Sequence, residues 1–312
     1  MRVGLDVGGT KTDAVAVDDS GTVVARVRLA TGQGPQAVIA TVLEAVRALR
    51  ESLDAGAAPF TSIGIGIPGQ VMPGTTRVTH AVNLGIDDLD LAAAISPVLS
   101  LPVYVENDVK AAALGAYALH GAASQSLSSM AYLNLGTGIA AGIVEDGVLA
   151  RGRHGSAGEV GHISVDPAGP LCRCGQHGCI EALAGGGAIA QRWGTGAALP
   201  VKDVFDASDA GDPLAQSLRA GLAAGAAAAV RVLVLTVDVD TVVLGGGVTN
   251  LGDALLSDIR AQLDASAAAS PFLRSLCLSE RVALLPLGSP AAALGAALLG
   301  EARTPEGVLA HG

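Results

Sequence analysis

From Ala131 onward the chain repeats its own beginning. Residues 5–21 read as strand, glycine turn, strand and acidic-glycine turn. Leu133-Asn-Leu-Gly136-Thr137-Gly138, Ile139–Val144 and Glu145-Asp146-Gly147 repeat that order, with Leu5 on Leu133, Gly8 on Gly136 and Val15 on Ile143. Self-similarity restricts the fold more than any single element does, because each copy must build the same supersecondary unit. Two related α/β lobes are expected, each opening with a glycine hairpin, the hairpins facing one interlobe cleft. A length of 312 residues suits about two domains. Half of the residues are hydrophobic but only 2% are aromatic, so the cores must be closely packed Ala, Val, Leu and Ile.

Strands are predicted over Val3–Val7, Thr12–Val17 and Val23–Leu29, with turns at Gly8-Gly9-Thr10 and Asp18-Asp19-Ser20-Gly21. Val38, Val42, Ala45 and Leu49 recur at helical spacing within Pro35–Ala55. Thr61–Ile67 reads as a strand, Asp90–Leu99 as a helix, Val103–Val105 as a strand and Val109–Leu119 as an Ala-rich helix. This alternation implies a sheet covered by helices. The lobes are expected at 1–115 and 116–312, with the linker inside Ala111–Ser129, where Gly121-Ala-Ala-Ser-Gln-Ser breaks the periodicity. Further on, a helix is expected near Pro213–Arg231, a strand over Thr241–Leu244 and a helix near Leu251–Leu263. The apolar stretch Ala220–Val239, interrupted by Arg231 and Asp238, reads as a small-residue helix running into a buried strand, not a membrane span. The final helix, near 290–302 and nearly all Ala and Leu, is expected to pack back on the first lobe.

Three of the four cysteines lie within Cys172-Arg-Cys174-Gly-Gln-His-Gly-Cys179, a short way after His162. Three thiols and an imidazole are a tetrahedral donor set for Zn²⁺. His177 is the alternative imidazole. Asp6 near the start leaves no room for a signal-peptide core, and clustered cysteines without an export signal favour metal over disulfide. Cys277, among Leu residues, reads as a buried apolar filler. The formal charge of −10 argues against a nucleic-acid surface and fits a soluble cytoplasmic protein.

The glycine loops carry a second line of evidence. Gly64-Ile-Gly66-Ile-Pro68-Gly69 and Gly136-Thr-Gly138-Ile-Ala-Ala141 match the dinucleotide fingerprint by spacing, but neither opens a helix, as that fingerprint requires. Asp6-Val-Gly8-Gly9-Thr10-Lys11 reads either as an ordinary hairpin or as one whose backbone N–H groups, Thr10 hydroxyl and Lys11 ammonium face a phosphate, with Asp6 holding Mg²⁺ directly or through water. The second hairpin favours the phosphate reading. Gly245-Gly246-Gly247 suits a nucleotide base lying on backbone, or a strand-to-helix turn.

Taken in order, Asp6-Val-Gly-Gly-Thr-Lys11, Gly64-Ile-Gly-Ile-Pro-Gly69, Glu106-Asn-Asp108, Leu135-Gly-Thr-Gly138, Gly158-Glu-Val-Gly-His162, Cys172 to Glu181 and Leu244-Gly-Gly-Gly247 resemble the ROK family of sugar kinases and sugar-responsive repressors, and within it the bacterial glucokinase-like members. The resemblance implies the actin-like ATPase (ribonuclease H-like) fold and ATP-dependent phosphorylation of a hexose, glucose at its 6-hydroxyl first. N-acetylglucosamine, N-acetylmannosamine or fructose are alternative substrates, and a non-catalytic sensor or transcriptional regulator is the alternative role. Regulators of the family carry a helix-turn-helix domain before the first hairpin, for which a strand starting at Val3 leaves no room.

Carried over by the same resemblance, Asp108 is the general base. Gly69, Asn83, Asn107, Glu159, His162 and Glu181 contact the sugar. Gly8, Gly9, Thr10, Lys11, Gly136, Thr137, Gly138, Gly245 and Gly246 serve ATP. His162, Cys172, Cys174 and Cys179 match a structural zinc site in segment 162–181, expected to hold the sugar-reading carboxylates in place. A homodimer is the family expectation. Asn107-Asp108 also suits a helix cap ahead of the Ala-rich helix. Lys110, where many members carry Asn, and Ala140, where Gly is common, depart from the pattern.

Overall fold

A computed structural model of the chain describes residues 1–121 and 127–300; most of the predicted linker tract, 122–126, and the end of the last predicted helix, 301–302, lie outside the described residues. The chain divides into two compact units. The first holds Met1–Ser128, Gly142–Ala157 and the residues from Gly288 on; the second holds Ser129–Ala141 and Gly158–Leu287.

In the first unit, β1 (Arg2–Val7), β2 (Lys11–Val17), β3 (Val23–Ala30), α1 (Pro35–Ser52) and β4 (Ser62–Ile67) follow in order. β5 (Gln70–Val71), β6 (Arg77–Ala81) and β7 (Ile86–Asp90) form a small antiparallel sheet, followed by α2 (Leu91–Leu99), β8 (Val103–Asn107) and α3 (Asp108–Gly121). The main sheet runs β3-β2-β1-β4-β8, antiparallel at its first two pairings and parallel at β1–β4 and β4–β8.

Period-2 alternation explains how its two faces are covered. In Val3-Gly4-Leu5-Asp6-Val7 and Ile63-Gly64-Ile65-Gly66-Ile67 the branched residues point to one face, where they join Val38, Val42 and Leu49 of α1 in a continuous core. The other face is glycine, and there α10 (Ala291–Leu298) seats: a Cβ on Gly4 would lie 1.9 Å from the Ala293 carbonyl oxygen, and one on Gly64 1.7 Å from that of Ala296. α10 packs on α3 as well as on the sheet. That packing also accounts for where the contacts divide. All of α3 belongs to the first unit, so the division falls at Ser128–Ser129 and not at residue 115.

The repeat is structural. β9 (Ser129–Leu135) and β10 (Ile139–Glu145) restate the first hairpin, and β10 covers the positions of β2 displaced by 128. With β11 (Val148–Ala150), β12 (Thr241–Gly245) and β13 (Val282–Leu284) they give the order β11-β10-β9-β12-β13, the same arrangement as β3-β2-β1-β4-β8. Within the second unit, α4 (Ile180–Ala184), α5 (Gly186–Trp193), α6 (Pro200–Asp209) and α7 (Pro213–Val237) precede β12, and α8 (Asp253–Ala268) and α9 (Pro271–Ser275) follow it.

Two expectations are corrected. The Val- and Leu-rich half of Ala220–Val239 continues α7 to Val237 instead of forming a strand. α7 is long and apolar enough to cross a membrane by length and composition, yet it packs against α4, α6 and α8, and Arg219 ties it down by lying 4.4 Å over the Phe205 ring while its Nε donates to Asp258 at 2.6 Å. These helix contacts override the strand preference of Val232-Leu-Val-Leu. Cys277 is exposed, not a core filler: it lies in the turn after α9, at φ 49°.

Candidate active site

In the first unit the predicted residues gather at the C-terminal ends of β1, β4 and β8. Asp6 lies on the glycine face of the sheet and is register partner to Gly66, where an added Cβ would stand 3.6 Å from the Cα of Asp108. Burial, and next the Asp108 carboxylate, push the Asp6 carboxyl up to about 7. The two acids thus feel each other's charge, a setting in which a bound cation is favourable.

Asn107 performs the capping role foreseen for it. Its Oδ1 accepts from the N–H groups of Val109 at 3.0 Å and Lys110 at 3.3 Å, and its Nδ2 donates to the Gly69 carbonyl at 3.1 Å. One amide therefore starts α3 and fixes the Gly69 loop. Asp108, the first residue of α3, is in the place where a helix N-terminus stabilises an anion.

The neighbours of Asn107 and Asp108 were not assigned from sequence and turn out to be anchors. Glu106, buried, accepts from Arg151 Nε at 2.6 Å. Lys110, also buried, donates through Nζ to the Gly155 carbonyl. The departure at Lys110 thus points its charge at the loop following β11.

The first hairpin turn closes through the Gly8 N–H on the Lys11 carbonyl at 3.0 Å and leaves Thr10 and Lys11 exposed. Asn83 adjoins it: a Cβ on Gly9 would lie 3.3 Å from the Asn83 Cβ.

In the second unit, Gly136-Thr137-Gly138 forms the matching turn, with the Gly136 N–H on the Gly138 carbonyl at 3.1 Å. Glu181, on α4, reaches it: its Oε2 accepts from the Ile139 N–H at 2.9 Å. The N–H groups of Gly186 and Gly187, opening α5, donate to the carbonyls of Gly136 and Thr137 at 2.9 and 3.0 Å. Gly246, at φ 90°, lies against the end of β9, where a Cβ would meet the Leu135 carbonyl at 2.6 Å. Close strand packing alone therefore requires glycine there. Glu159 is exposed and its carbonyl accepts from the His162 N–H at 3.2 Å.

His162, Cys172, Cys174 and Cys179 come together, their ligand atoms all within 4.8 Å of one another. Cys174 Sγ and Cys179 Sγ are 3.6 Å apart, and Cys172 Sγ is 3.9 Å from His162 Nδ1. A tetrahedron with metal–sulfur bonds of about 2.3 Å has edges of roughly 3.8 Å, so the donors are spaced for one ion. The turn that presents them is closed by the Cys172 N–H on the Gln176 carbonyl at 2.7 Å. His177 is turned away, its Nδ1 3.0 Å from the Gly169 carbonyl, so the imidazole of the set is His162.

The ROK family model matches residues 2–303, and the chain belongs to the ROK family. It is an ATP-dependent sugar kinase of that family. It is 32% identical over 284 residues to a glucokinase of Halalkalibacterium halodurans, covering 85% of this chain and 86% of that one. It is 33% identical over 247 residues to an N-acetylmannosamine kinase of Yersinia pseudotuberculosis, covering 78% and 82%. Among solved structures, a ROK family glucokinase from Streptomyces griseus in complex with glucose and AMPPNP superposes with a TM-score of 0.76 at 30% identity, over 96% of this chain and 98% of that one.

Proposed function

We propose that this kinase transfers the γ-phosphoryl group of ATP to the 6-hydroxyl of a hexose, glucose first, with Asp108 as general base. The observation that carries the reading is the position of Asp108: it stands at the helix N-terminus beside Asp6, on the unit that bears the Gly8–Lys11 turn. Phosphoryl transfer is governed by positioning and charge neutralisation, and a carboxylate orients the attacking hydroxyl and accepts its proton. Asn107, Asn83 and Gly69 in the first unit, and Glu159, His162 and Glu181 in the second, offer donors and acceptors for sugar hydroxyls. The backbone and side chains of Gly8, Gly9, Thr10 and Lys11, and of Gly136, Thr137 and Gly138, serve phosphates; Gly245 and Gly246 serve the adenosine.

Asp6 is the residue that would hold Mg²⁺, which neutralises phosphate charge when bound. His162, Cys172, Cys174 and Cys179 would hold Zn²⁺ with all four positions filled by protein, so the ion serves structure and not Lewis-acid chemistry. A homodimer and a cytoplasmic location belong to the same reading and rest on family resemblance.

The test is a coupled ADP-release assay over glucose, N-acetylglucosamine, N-acetylmannosamine, mannose, fructose and allose. Glucose is expected to give the highest kcat/KM. No turnover on any of them overturns the substrate reading, and a preference for N-acetylmannosamine replaces glucose. Asp108→Asn is expected to lower kcat by about 100- to 10,000-fold with sugar binding still measurable by calorimetry. Retained turnover removes Asp108 as the base.

A further inference from the structure

The turn that carries Gly9 and the turn that carries Asn83 come from distant parts of the chain, and a third segment laces them together. Thr31–Gly34 leaves β3 and runs along both. The Thr31 N–H donates to the Thr10 carbonyl at 3.1 Å, and the Thr31 and Thr12 hydroxyls are 2.8 Å apart. On the other side, the Gly34 N–H donates to the Leu84 carbonyl at 2.8 Å. Midway stands Gln33. Its Nε2 donates to the Gly9 carbonyl at 3.1 Å and to the Asn83 carbonyl at 3.2 Å.

A primary amide has two N–H groups, and here each is committed to a different backbone oxygen. Gln33 is therefore a cross-brace with one foot on each turn. Backbone carbonyls at both feet mean that the brace reads loop position, not side-chain identity. Gln33 is itself exposed, so it adds little to the core. Its effect falls on the spacing of the two turns.

We propose that Gln33 is a positioning residue that couples the nucleotide turn to the sugar turn. The proposal rests on the reading in which Gly8–Lys11 faces ATP phosphates and Asn83 faces the sugar. A ligand that orders one turn orders the other through the shared amide, so each substrate binds better once its partner is present.

Gln33→Glu keeps the shape and removes both donors; Gln33→Leu removes all polarity. KM for glucose and KM for ATP are each expected to rise about three- to ten-fold in both variants, the scale of about one ordinary hydrogen bond for each turn released. The ratio of glucose dissociation constants without and with AMPPNP, measured by calorimetry, is expected to fall towards one. Thermal midpoints are expected to stay at the wild-type value. Gln33→Lys, which restores donors of similar reach, is expected to recover most of the coupling. Substrate constants within two-fold of wild type, or a lowered thermal midpoint with unchanged constants and unchanged coupling, overturn the brace. Wild-type protein that turns over glucose while the variants behave like it refutes Gln33 alone; wild-type protein that turns over no sugar refutes the underlying reading.

Discussion

The two glycine hairpins are built on strands of the same arrangement, and they diverge at their turns. β2 and β10 cover equivalent positions, displaced by 128. Under that displacement Asp6 of the first hairpin corresponds to Asn134 of the second, and Lys11 to Ile139. The first turn thus carries an acid and a cation with Thr10 and Lys11 exposed; the second is nearly uncharged and is held from behind by Glu181 and by the opening N–H groups of α5. A repeated scaffold supplies the same backbone geometry twice. The chemistry was then divided, with charge in one copy and a clamped backbone in the other.

Of the changes that test this comparison between the two hairpins, the one with the largest expected effect makes the first copy resemble the second. Asp6→Asn is expected to lower kcat/KM by roughly 100- to 1,000-fold, the scale of removing one preorganised electrostatic partner, with unchanged far-UV circular dichroism. Steady-state assays at several Mg²⁺ concentrations read it, and near-wild-type turnover would remove Asp6 from the charged half of the division.

An intermediate effect lies with the support of the second copy. Cys179→Ser is expected to reduce bound zinc, measured by atomic absorption, from one ion per chain to near none. With the donor set broken, the sugar KM should rise about 10-fold or more. Full zinc content, or zinc loss with an unchanged sugar KM, would separate the cysteine cluster from the residues proposed above to contact the sugar.

The smallest effect sharpens the role of Glu181. Gln at this position still accepts from the Ile139 N–H, whereas Ala cannot. If the carboxylate also meets a sugar hydroxyl, Glu181→Gln is expected to raise the sugar KM by about five-fold with KM for ATP unchanged, since hydrogen bonds to charged groups exceed neutral ones by this scale. Glu181→Ala is expected to raise both. A wild-type sugar KM in Glu181→Gln, beside raised constants in Glu181→Ala, would mean that Glu181 only clamps the turn.

Much of this was legible in the sequence because the signals were local or self-repeating. The glycine turns, the alternation in β1 and β4 and the spacing of Cys172, Cys174 and Cys179 each state their own geometry. What was not legible depended on distant partners. The small sheet of β5, β6 and β7 left no sequence signal, because Pro68-Gly69 and Pro73-Gly74 are turn-type pairs that interrupt strand alternation, while Gln70 pairs across to Thr79. The last turns of α7 were misread because β-branched residues there take their conformation from neighbouring helices. Gln33, Lys110 and Arg151 left no motif, since each acts on a backbone carbonyl or a lone carboxylate far away in sequence.

The glycine seat beneath α10 has a consequence for synthesis on the ribosome. When residues 1–128 have emerged, Gly4 and Gly64 present a bare groove in the first sheet, and the helix that fills it is still about 160 residues from being made. The unit that starts first is thus finished last, and a chain stopped short of residue 291 would leave the face that bears Asp6 without its cover.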